Sequence, residues 1–260
     1  MIDLHSHILP GLDDGPQTLE ECVAMLRIAA EAGTTDIVAT PHANLEFPFD
    51  SELVDQKIAE LAGACGPLLR IHRGCDFHLS YGNIQEALSN PAPYTINRKN
   101  YLLVEFSDLL IANTMDDIFF RMRQAGITPI ITHPERNWLL QHRLEQLQSW
   151  VHSGCRIQVT AQSFFGRFGA EARAFSHELM QRGLVHFIAS DAHDCQDRPP
   201  RLDQVRRHIA KKFSPDRAER LLVANPRAVL NGHPLEPEPQ PEPAPPRGWR
   251  LFWKPPASSR

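Results

Sequence analysis

The sequence lacks long apolar runs and an excess of basic charge, and each absence excludes a class of protein. No stretch of 18 apolar residues occurs in the 260-residue chain, which argues against a membrane-spanning helix. The N-terminus also lacks the basic-then-apolar pattern of an export signal. A formal net charge of −4 gives no basic field for a long nucleic acid. We therefore expect a protein of the cytoplasm with no nucleic-acid partner.

The sequence has few cysteines, and their spacing does not indicate pairs. The chain has five cysteines, an odd number, and none of them forms a Cys-x-x-Cys pair. They are Cys22, Cys65, Cys75, Cys155 and Cys195. This pattern argues against a disulfide framework and against a thiolate zinc cluster. It is typical of a protein from a reducing compartment.

Seven short apolar segments alternate with segments of helical periodicity. The predicted strands are residues 1–7, 36–40, 68–74, 101–104, 128–132, 156–160 and 184–189. Consecutive strands joined by helical crossovers run parallel. The length suits a single α/β domain of barrel size. We therefore predict a distorted seven-stranded (β/α)7 barrel over residues 1–233, with a long loop at residues 79–99.

Residues 234–260 differ in composition from the rest of the chain. The run from Pro234 to Pro246 is rich in proline and glutamate, which predicts an extended, disordered tail. The end of this tail, residues 247–254, combines tryptophan and phenylalanine with arginine and lysine. This pairing suits peripheral contact with a membrane interface or with a partner groove. An end without any selected role is the competing interpretation.

Histidines and carboxylates follow most of the predicted strands. His5 and His7 are two residues apart in the first strand, so their imidazoles point to the same side. Further candidates at or beyond strand ends are His42, Asp76, Glu105, His133, Asp191 and His193, and Asp14 follows in the turn after the first strand. The carboxyl ends of the strands carry the chemistry in parallel barrels. We expect these side chains to form one cluster.

The candidate donors comprise five imidazoles and four carboxylates, with no thiolate. This set favours Mn²⁺, Fe²⁺, Zn²⁺ or Co²⁺. It exceeds the needs of a single ion and suffices for two or three. Such a cluster lowers the pKa of a bridging water and stabilises the attacking and leaving oxygens of an in-line displacement. Hydrolysis of a phosphoester is the reaction that this chemistry indicates.

Four short motifs contain most of these candidates. They are His5-Ser6-His7, Thr40-Pro41-His42, His133-Pro134-Glu135-Arg136 and Ser190-Asp191-Ala192-His193. These motifs resemble the PHP superfamily, named for polymerase and histidinol phosphatase. Residues 1–15 and 190–200 more narrowly resemble the manganese-dependent tyrosine phosphatases of bacterial capsule and exopolysaccharide operons, the CpsB/CapC/YwqE type. The resemblance covers roughly residues 1–232.

The resemblance implies the PHP fold and a site for up to three Mn²⁺ ions. The implied ligands are His5, His7 and Asp191 for the first ion, Asp76 as a bridge to the second ion with Glu105 and His133, and Asp14, His42 and His193 for the third. It also implies that Arg136 and Arg198 contact the phosphate, because their planar guanidinium groups match phosphate oxygens. Each arginine could instead pair with a neighbouring carboxylate.

Position 76 departs from the pattern of the resembled family, which usually has Glu there. Asp76 is one methylene shorter, so it bridges two ions only if its backbone lies closer to them. Gly74 and the small Cys75 permit that approach. We therefore expect a compensated backbone at this strand end.

The implied activity is hydrolysis of phosphotyrosine on a protein, with a bacterial tyrosine kinase that has a tyrosine-rich tail as the expected partner. A small-molecule phosphatase of the histidinol phosphate kind is the alternative enzyme. A module that binds phosphotyrosine without cleaving it is an alternative of another class. A nuclease would need a basic groove, which the net charge disfavours.

A cysteine phosphatase is the remaining candidate, because Cys195 to Arg201 matches a bare Cys-x5-Arg pattern. Pro199 and Pro200 have no N–H groups with which to hold a phosphate. We therefore interpret Cys195 as incidental.

Overall fold

The computed structural model describes residues 1–236. The basic-aromatic end at residues 247–254, and all of the predicted tail beyond Glu236, lie outside the described residues. Within residues 1–236, Leu235 packs against a buried apolar cluster. None of the helices in residues 1–236 combines the length and apolar character needed to span a bilayer.

The described residues contain nine strands, which form two parallel sheets. The strands are β1 (Ile2–Ser6), β2 (Asp36–Ala39), β3 (His42–Ala43), β4 (Arg70–Arg73), β5 (Asp76–His78), β6 (Tyr101–Glu105), β7 (Thr128–Thr132), β8 (Arg156–Thr160) and β9 (Phe187–Ala189). One sheet has the order β1-β2-β4 and the other has the order β3-β5-β6-β7-β8-β9. The expectation of a parallel α/β fold is confirmed.

The strand count differs from the seven that we predicted. The segments 36–40 and 68–74 each end sooner than expected, and the chain then pairs again as β3 and β5 in the second sheet. Pro41 interrupts the first of these segments, because proline has no N–H group for the ladder. His42 and Asp76 therefore lie within short strands rather than beyond strand ends. Closure into one barrel stays a prediction.

Hydrogen bonds join β1 of the first sheet to the segment that follows β9 of the second sheet. The N–H of His7 donates to the carbonyl oxygen of Ala192 (2.8 Å), and the N–H of Asp191 donates to that of His5 (2.9 Å). The N–H of Asp76 in β5 donates to the carbonyl oxygen of Pro41 (3.1 Å), which lies between β2 and β3. The first strand and the segment after the last strand of the described residues thus meet.

Ten α-helices accompany the strands in the described residues. They are α1 (Leu19–Glu31), α2 (Ser51–Cys65), α3 (Tyr81–Ser89), α4 (Met115–Gln124), α5 (Trp138–Gln141), α6 (Leu144–His152), α7 (Gly169–Gln181), α8 (Asp203–Lys212), α9 (Pro215–Glu219) and α10 (Asn225–Asn231). A capping box begins α1: Thr18 Oγ1 accepts from the N–H of Glu21, whose carboxylate accepts from the N–H of Thr18.

The prediction of a long loop at residues 79–99 was wrong for its first half, where α3 forms. Ser80 caps this helix, because its hydroxyl oxygen accepts from the N–H of Asn83 (3.4 Å). The helical segment after β7 is divided into α5 and α6.

A buried apolar cluster fills the space below the polar strand ends. It draws side chains from both sheets, including Leu4 in β1, Val38 in β2, Leu103 in β6 and Ile130 in β7. Side chains two residues apart in a strand share a face. Glu105 therefore lies on the same side of β6 as Leu103, one layer nearer the carboxyl edge. The interior thus has an apolar layer beneath a polar one.

Candidate metal centre

The nine predicted ligands converge at the carboxyl edge of the strands. The Nε2 atoms of His5 and His7 are 3.2 Å apart, as expected for residues i and i+2 of a strand. The pairing of β1 with β2 shifts register between Asp3 and Ser6. Such irregularities re-aim the side chains that follow them. This bulge accompanies the point where β1 changes from apolar residues to ligand-type residues.

The inner part of the cluster is fully buried. Asp191 Oδ1 lies 3.5 Å from His5 Nε2 and 3.6 Å from His7 Nε2. Asp76 Oδ2 lies 3.5 Å from His5 Nε2 and 3.3 Å from His42 Nδ1. The carboxylate of Asp76 thus stands between His5 and His42, which belong to different groups of the implied ligand set.

The outer part of the cluster is more open. Asp14 Oδ1 lies 3.4 Å from His42 Nε2 and 3.3 Å from His193 Nε2. The rings of His7 and His193 are 4.0 Å apart between centroids. His7 therefore lies close to the group expected for the third ion as well as to the group expected for the first.

Glu105 and His133 form the third part of the cluster. His133 Nε2 is 3.7 Å from Glu105 Oε1. The other carboxylate oxygen, Oε2, is 3.8 Å both from His42 Nδ1 and from His78 Nδ1. His78 was not among the predicted ligands, although it follows Asp76 by two residues and shares its side of β5.

Gly74 lies two residues before Asp76, where the chain packs closely against β2. A β-carbon at Gly74 would lie 2.8 Å from Val38 Cγ1 and 3.0 Å from Thr40 Cγ2. Any larger residue would therefore push this strand end away from β2. Gly74 permits this close packing, and the compensated backbone that we expect at Asp76 stays a prediction.

Burial and neighbouring charges shift the pKa values of this cluster in opposite directions. Burial alone would lower the pKa of His5, but the carboxylates of Asp76 and Asp191 outweigh it and raise that pKa to about 9. Burial lowers the pKa of His7 to about 4, helped by the charge of His193 and opposed by Asp13. Burial and the charge of Asp76 raise the pKa of Glu105.

Several polar atoms in the cluster have no hydrogen-bond partner in the described residues. They are both carboxylate oxygens of Asp76 and Nδ1 of His42, and all three are buried. Leaving such groups unpaired costs free energy, more so for a carboxylate. Imidazole nitrogens and carboxylate oxygens that face one another in this way match the ligand preferences of Mn²⁺, Fe²⁺ and Zn²⁺. The residues present therefore fit a group of divalent cations.

Two candidate ligands have left-handed backbones. The φ angle is +32° at His133, which directly follows β7, and +51° at Asp191, which lies two residues beyond the end of β9. Non-glycine residues adopt positive φ at a cost, and such strain concentrates at functional sites. The hydrogen bond from the N–H of His133 to the carbonyl oxygen of Gln158 (2.8 Å) helps to hold the first of these turns.

Both predicted phosphate arginines bind Asp191. Arg136 Nη1 and Arg198 Nη2 each donate to Asp191 Oδ2, the latter at 2.6 Å. The same carboxylate directs its other oxygen to the histidines, as described above. The ring of Phe168 covers both guanidinium groups, with its centroid 4.3 Å from Arg136 Cζ and 5.8 Å from Arg198 Cζ. Carboxylate pairing, the alternative to phosphate contact, is therefore present in this structure.

Sequence reasoning missed the residues that orient the ligands. Asp13 Oδ2 is 2.6 Å from His7 Nδ1, and Gln158 Oε1 is 3.0 Å from His5 Nδ1. Such partners orient ligating imidazoles and set their tautomer. Glu135 is also buried, where it accepts from the N–H of Thr160 (2.9 Å). Gln158 gave no distinct signal, because polar residues alternate with apolar ones along β8.

The segment around Cys195 is not a phosphate cradle. The N–H groups of Gln196, Asp197 and Arg198 all donate to Asp194 Oδ1, at 2.6, 2.5 and 3.1 Å. Burial raises the pKa of the Cys195 thiol. Since the backbone donors are occupied by a carboxylate and the thiolate form is disfavoured, the interpretation of Cys195 as incidental is supported.

Two cavities border the cluster on different sides. One, of about 90 Å³, is lined by Glu105, His133 and Arg136, with Asp108 and Asn137 at its rim. The other, of about 510 Å³, is lined by Asp14 and His193 together with Glu21, Asp194 and Asp197.

These features define the class of this protein: parallel α/β folds with imidazoles and carboxylates at the carboxyl edge of the strands. Two distant structures share this fold. A lactonase from Listeria monocytogenes matches with a TM-score of 0.56 at 11% identity, covering 88% of this chain and 94% of the other. The phosphotriesterase homology protein of Escherichia coli matches with a TM-score of 0.55 at 13% identity, covering 88% and 98%.

Within this class, the chain belongs to the CpsB/CapC family of capsular polysaccharide synthesis, whose family model matches residues 1–231. The tyrosine-protein phosphatase YwqE of Bacillus subtilis is 31% identical over 244 residues, which cover 92% of this chain and 95% of the relative. The tyrosine-protein phosphatase CpsB of Streptococcus pneumoniae is 31% identical over 242 residues, which cover 88% and 98%.

A solved structure of this family also matches closely. It comes from work on YwqE from Bacillus subtilis and CpsB from Streptococcus pneumoniae, described as unique metal-dependent tyrosine phosphatases. The TM-score is 0.82 at 30% identity, and the match covers 93% of this chain and 99% of the other. The resemblance inferred from the sequence motifs is thereby confirmed.

Proposed function

We propose that this protein is a metal-dependent protein-tyrosine phosphatase. One observation carries the proposal: nine imidazole and carboxylate side chains converge at one edge of the strands, beside two guanidinium groups. The donors fit divalent cations, and the guanidinium groups fit a phosphate. The names of the relatives, which are tyrosine-protein phosphatases, support phosphotyrosine as the substrate class.

We propose Mn²⁺ as the cofactor, with up to three ions; Fe²⁺, Zn²⁺ and Co²⁺ suit the same donors. The proposed ligands are His5, His7, Asp76 and Asp191 for the first ion, Asp76, Glu105 and His133 for the second, and Asp14, His42 and His193 for the third. When bound, the ions supply Lewis-acid polarisation of the phosphoryl oxygens and a nucleophile at neutral pH.

The arginines bind and orient the phosphate in this proposal. Each guanidinium has five N–H donors and uses only part of them on Asp191. The remaining donors are available to phosphate oxygens. Phe168 covers the two guanidinium groups and limits the directions that they can take. The leaving phenolate has a parent pKa of about 10, so a strong general acid is not required.

We propose a bacterial tyrosine kinase with a tyrosine-rich tail as the partner, in the control of capsule or exopolysaccharide synthesis. The family description supports this setting. A cytoplasmic location is part of the proposal, supported by five free cysteines. We also propose that residues 1–233 form one domain in which the two sheets act as a single distorted barrel with seven strand positions. Two of these positions are interrupted, one between β2 and β3 and the other between β4 and β5.

The proposal is tested by initial rates on three substrates. We expect rapid hydrolysis of a phosphotyrosine peptide and slower hydrolysis of the matched phosphoserine peptide and of histidinol phosphate. Comparable rates on both peptides would refute tyrosine specificity, and a preference for histidinol phosphate would favour a small-molecule phosphatase. Binding of phosphotyrosine without turnover would favour the non-catalytic module.

The metal dependence is tested with three variants. His133→Ala and Asp191→Ala are expected to lose most activity while they keep the fold, because each removes a proposed ligand rather than a core side chain. Cys195→Ser is the control and is expected to retain activity. Each is measured with a chelator and with added Mn²⁺. An inactive Cys195→Ser protein together with a chelator-insensitive wild type would contradict the metal mechanism.

A further inference from the structure

Three large apolar side chains are exposed next to one another beside the proposed active site. Leu109 is 90% exposed, Leu110 is 66% exposed and Trp138 is 58% exposed. Leu109 and Leu110 lie in the loop after β6, and Trp138 begins α5 after the neighbouring strand β7. Single exposed apolar residues are ordinary, but clusters of them mark interaction sites. We name this cluster the apolar ridge.

Hydrogen bonds hold the apolar ridge in place. Trp138 Nε1 donates to the carbonyl oxygen of Asp108 (3.0 Å), and the side-chain amide of Asn137 donates to the carbonyl oxygen of Ser107 (3.1 Å) and to Asp108 Oδ1 (3.1 Å). The N–H of Leu109 donates to Ser107 Oγ (3.1 Å). The two loops that carry the ridge are thus joined before any partner binds. Such preorganisation lowers the entropy cost of binding.

The ridge is continuous with the active-site opening. Asp108 and Asn137, which join its loops, also line the 90 Å³ cavity that contains Glu105, His133 and Arg136. This volume is small beside the roughly 300–1,000 Å³ of pockets that enclose a whole drug-sized ligand. The residues that flank a phosphotyrosine must therefore lie outside the cavity, across the adjoining surface.

Charge favours this side of the metal centre over the other. The larger cavity, beside Asp14 and His193, adds the carboxylates of Glu21, Asp194 and Asp197. Among the described residues that line it, none is lysine or arginine. A phosphorylated peptide is anionic and is repelled there. The cavity beside the ridge has fewer carboxylates, those of Glu105 and Asp108, and it also has the guanidinium of Arg136.

We propose that the apolar ridge binds an apolar side chain adjacent to the phosphotyrosine of the substrate polypeptide. The inference rests on the proposed function and narrows its substrate class, from any phosphotyrosine to a phosphotyrosine in an apolar sequence context. Partial burial of a leucine side chain on this open ridge corresponds to roughly a ten-fold gain in kcat/KM.

The experiment compares three substrates: a phosphotyrosine peptide with leucine beside the phosphotyrosine, the same peptide with serine there, and free phosphotyrosine. The test protein is the full chain with Leu109→Ser and Leu110→Ser combined. Phe120→Ser is the matched control, because Phe120 is 57% exposed on α4, outside the ridge. We expect the wild type and the control to prefer the leucine peptide about ten-fold.

In the double variant that preference is expected to disappear while kcat/KM for free phosphotyrosine stays unchanged. A wild type that treats both peptides alike, or a double variant that keeps the preference, would overturn the proposal. If the double variant loses activity on free phosphotyrosine, the single variant Leu109→Ser provides the comparison. A dimer that the double variant disrupts, seen by size-exclusion chromatography, would assign the ridge to a second copy of the chain.

Failure of the proposed function has a different signature. The same two peptides are prepared with a non-hydrolysable phosphonate in place of the phosphate, and their Kd values are measured with the Mn²⁺-loaded protein. If no phosphotyrosine substrate is cleaved but the leucine peptide still binds about ten-fold more tightly, the catalytic proposal fails and the ridge proposal stands. Equal Kd values for the two peptides would refute the ridge proposal.

Discussion

Two polar clusters lie at opposite ends of the parallel strands, each around a buried aspartate, and they differ in completeness. At the amino ends of β2 and β4, Asp36 Oδ1 accepts from Arg70 Nε (2.7 Å) and contacts His72 Nε2 (3.0 Å), while Oδ2 accepts from Arg70 Nη2 and Thr35 Oγ1 (both 2.8 Å). At the carboxyl ends, neither oxygen of Asp76 has a hydrogen-bond partner among the described residues.

The difference separates a structural role from a functional one. Burial works to raise the pKa of Asp36, but its hydrogen bonds to Arg70 and His72 outweigh burial and hold that pKa at about 2. The Asp36 cluster therefore needs nothing further. The candidate metal centre instead contains the unpaired oxygens of Asp76 and the positive φ angles of His133 and Asp191. Both features lower the stability of the fold. In barrels of parallel strands the amino edge serves stability and the carboxyl edge serves chemistry.

The largest expected effect is at Asp76. Asp76→Ala removes the proposed bridge between two ions, so we expect the rate to fall by more than about 100-fold, beyond the 10–100-fold typical of losing an outer-shell partner. Asp76→Glu is expected to be less active than wild type at every Mn²⁺ concentration, because we expect the backbone to lie close already, as Gly74 permits. Rates are measured across a Mn²⁺ titration. A fully active alanine variant would show that Asp76 is not a ligand.

The second prediction concerns Asp13, which contacts His7 Nδ1 (2.6 Å) and accepts from the N–H of His42 (3.2 Å). Asp13→Asn keeps the shape but removes the charge that orients the imidazole. We expect half-maximal activity to require about 10–100-fold more Mn²⁺. Asp197→Asn, at an exposed carboxylate of the same face, is the control. An unchanged Mn²⁺ requirement for Asp13→Asn would show that Asp13 does not support the proposed metal site.

The third prediction concerns the Asp36 cluster at the amino ends of β2 and β4. Asp36→Ala is expected to lower the free energy of unfolding by about 2–3 kcal/mol, since charge-assisted hydrogen bonds are lost and the imidazole of His72 loses its acceptor. The Mn²⁺ requirement is expected to stay at the wild-type value. Tm and a Mn²⁺ titration measure the two effects. Impaired metal binding with unchanged Tm would reverse the roles that we assign to the two ends.

The smallest expected effect is a pH dependence at His186, away from both clusters. Burial lowers the pKa of His186 to about 3, aided by the charge of Arg156, and its Nδ1 accepts from the N–H of Ile157 (3.2 Å). Below about pH 6.5 this histidine binds a proton in the unfolded chain but stays neutral in the folded protein. Stability therefore falls as the pH decreases from about 6.5 toward 3.

One pH unit below 6.5 costs about 1.4 kcal/mol through this histidine. His186→Asn keeps an acceptor and removes the ionisable group. We expect the decrease in Tm between pH 7.5 and pH 5.5 to be smaller in this variant than in the wild type. An identical decrease in both proteins would show that His186 does not limit stability in acid.

Much of the site was predictable because its signals are local. His5 and His7 share a strand face by their spacing alone. The brief strand β3 was not predictable, since two residues are too few for a period to be read. His42 therefore appeared to follow a strand when it belongs to one.

The contacts between distant segments were not predictable from the sequence. Gln158 reaches His5, and Phe168 covers Arg136 and Arg198, only because of the order and register of the strands. Polar residues in strands and aromatic residues in loops are common in proteins that have no metal centre. Sequence spacing can name candidate ligands, but an orienting partner such as Gln158 lies 153 residues from its histidine.

The meeting of His5 and His7 with Asp191 and Ala192 sets an order of events during synthesis. The carboxylate partner is synthesised 186 residues after His5. At about 5–20 residues per second this interval is roughly 10–40 seconds. A nascent chain that stops before Asp191 already contains all nine strands of the described sheets. It still lacks two of the proposed ligands, Asp191 and His193, so the proposed site is completed only after its last strand has been synthesised.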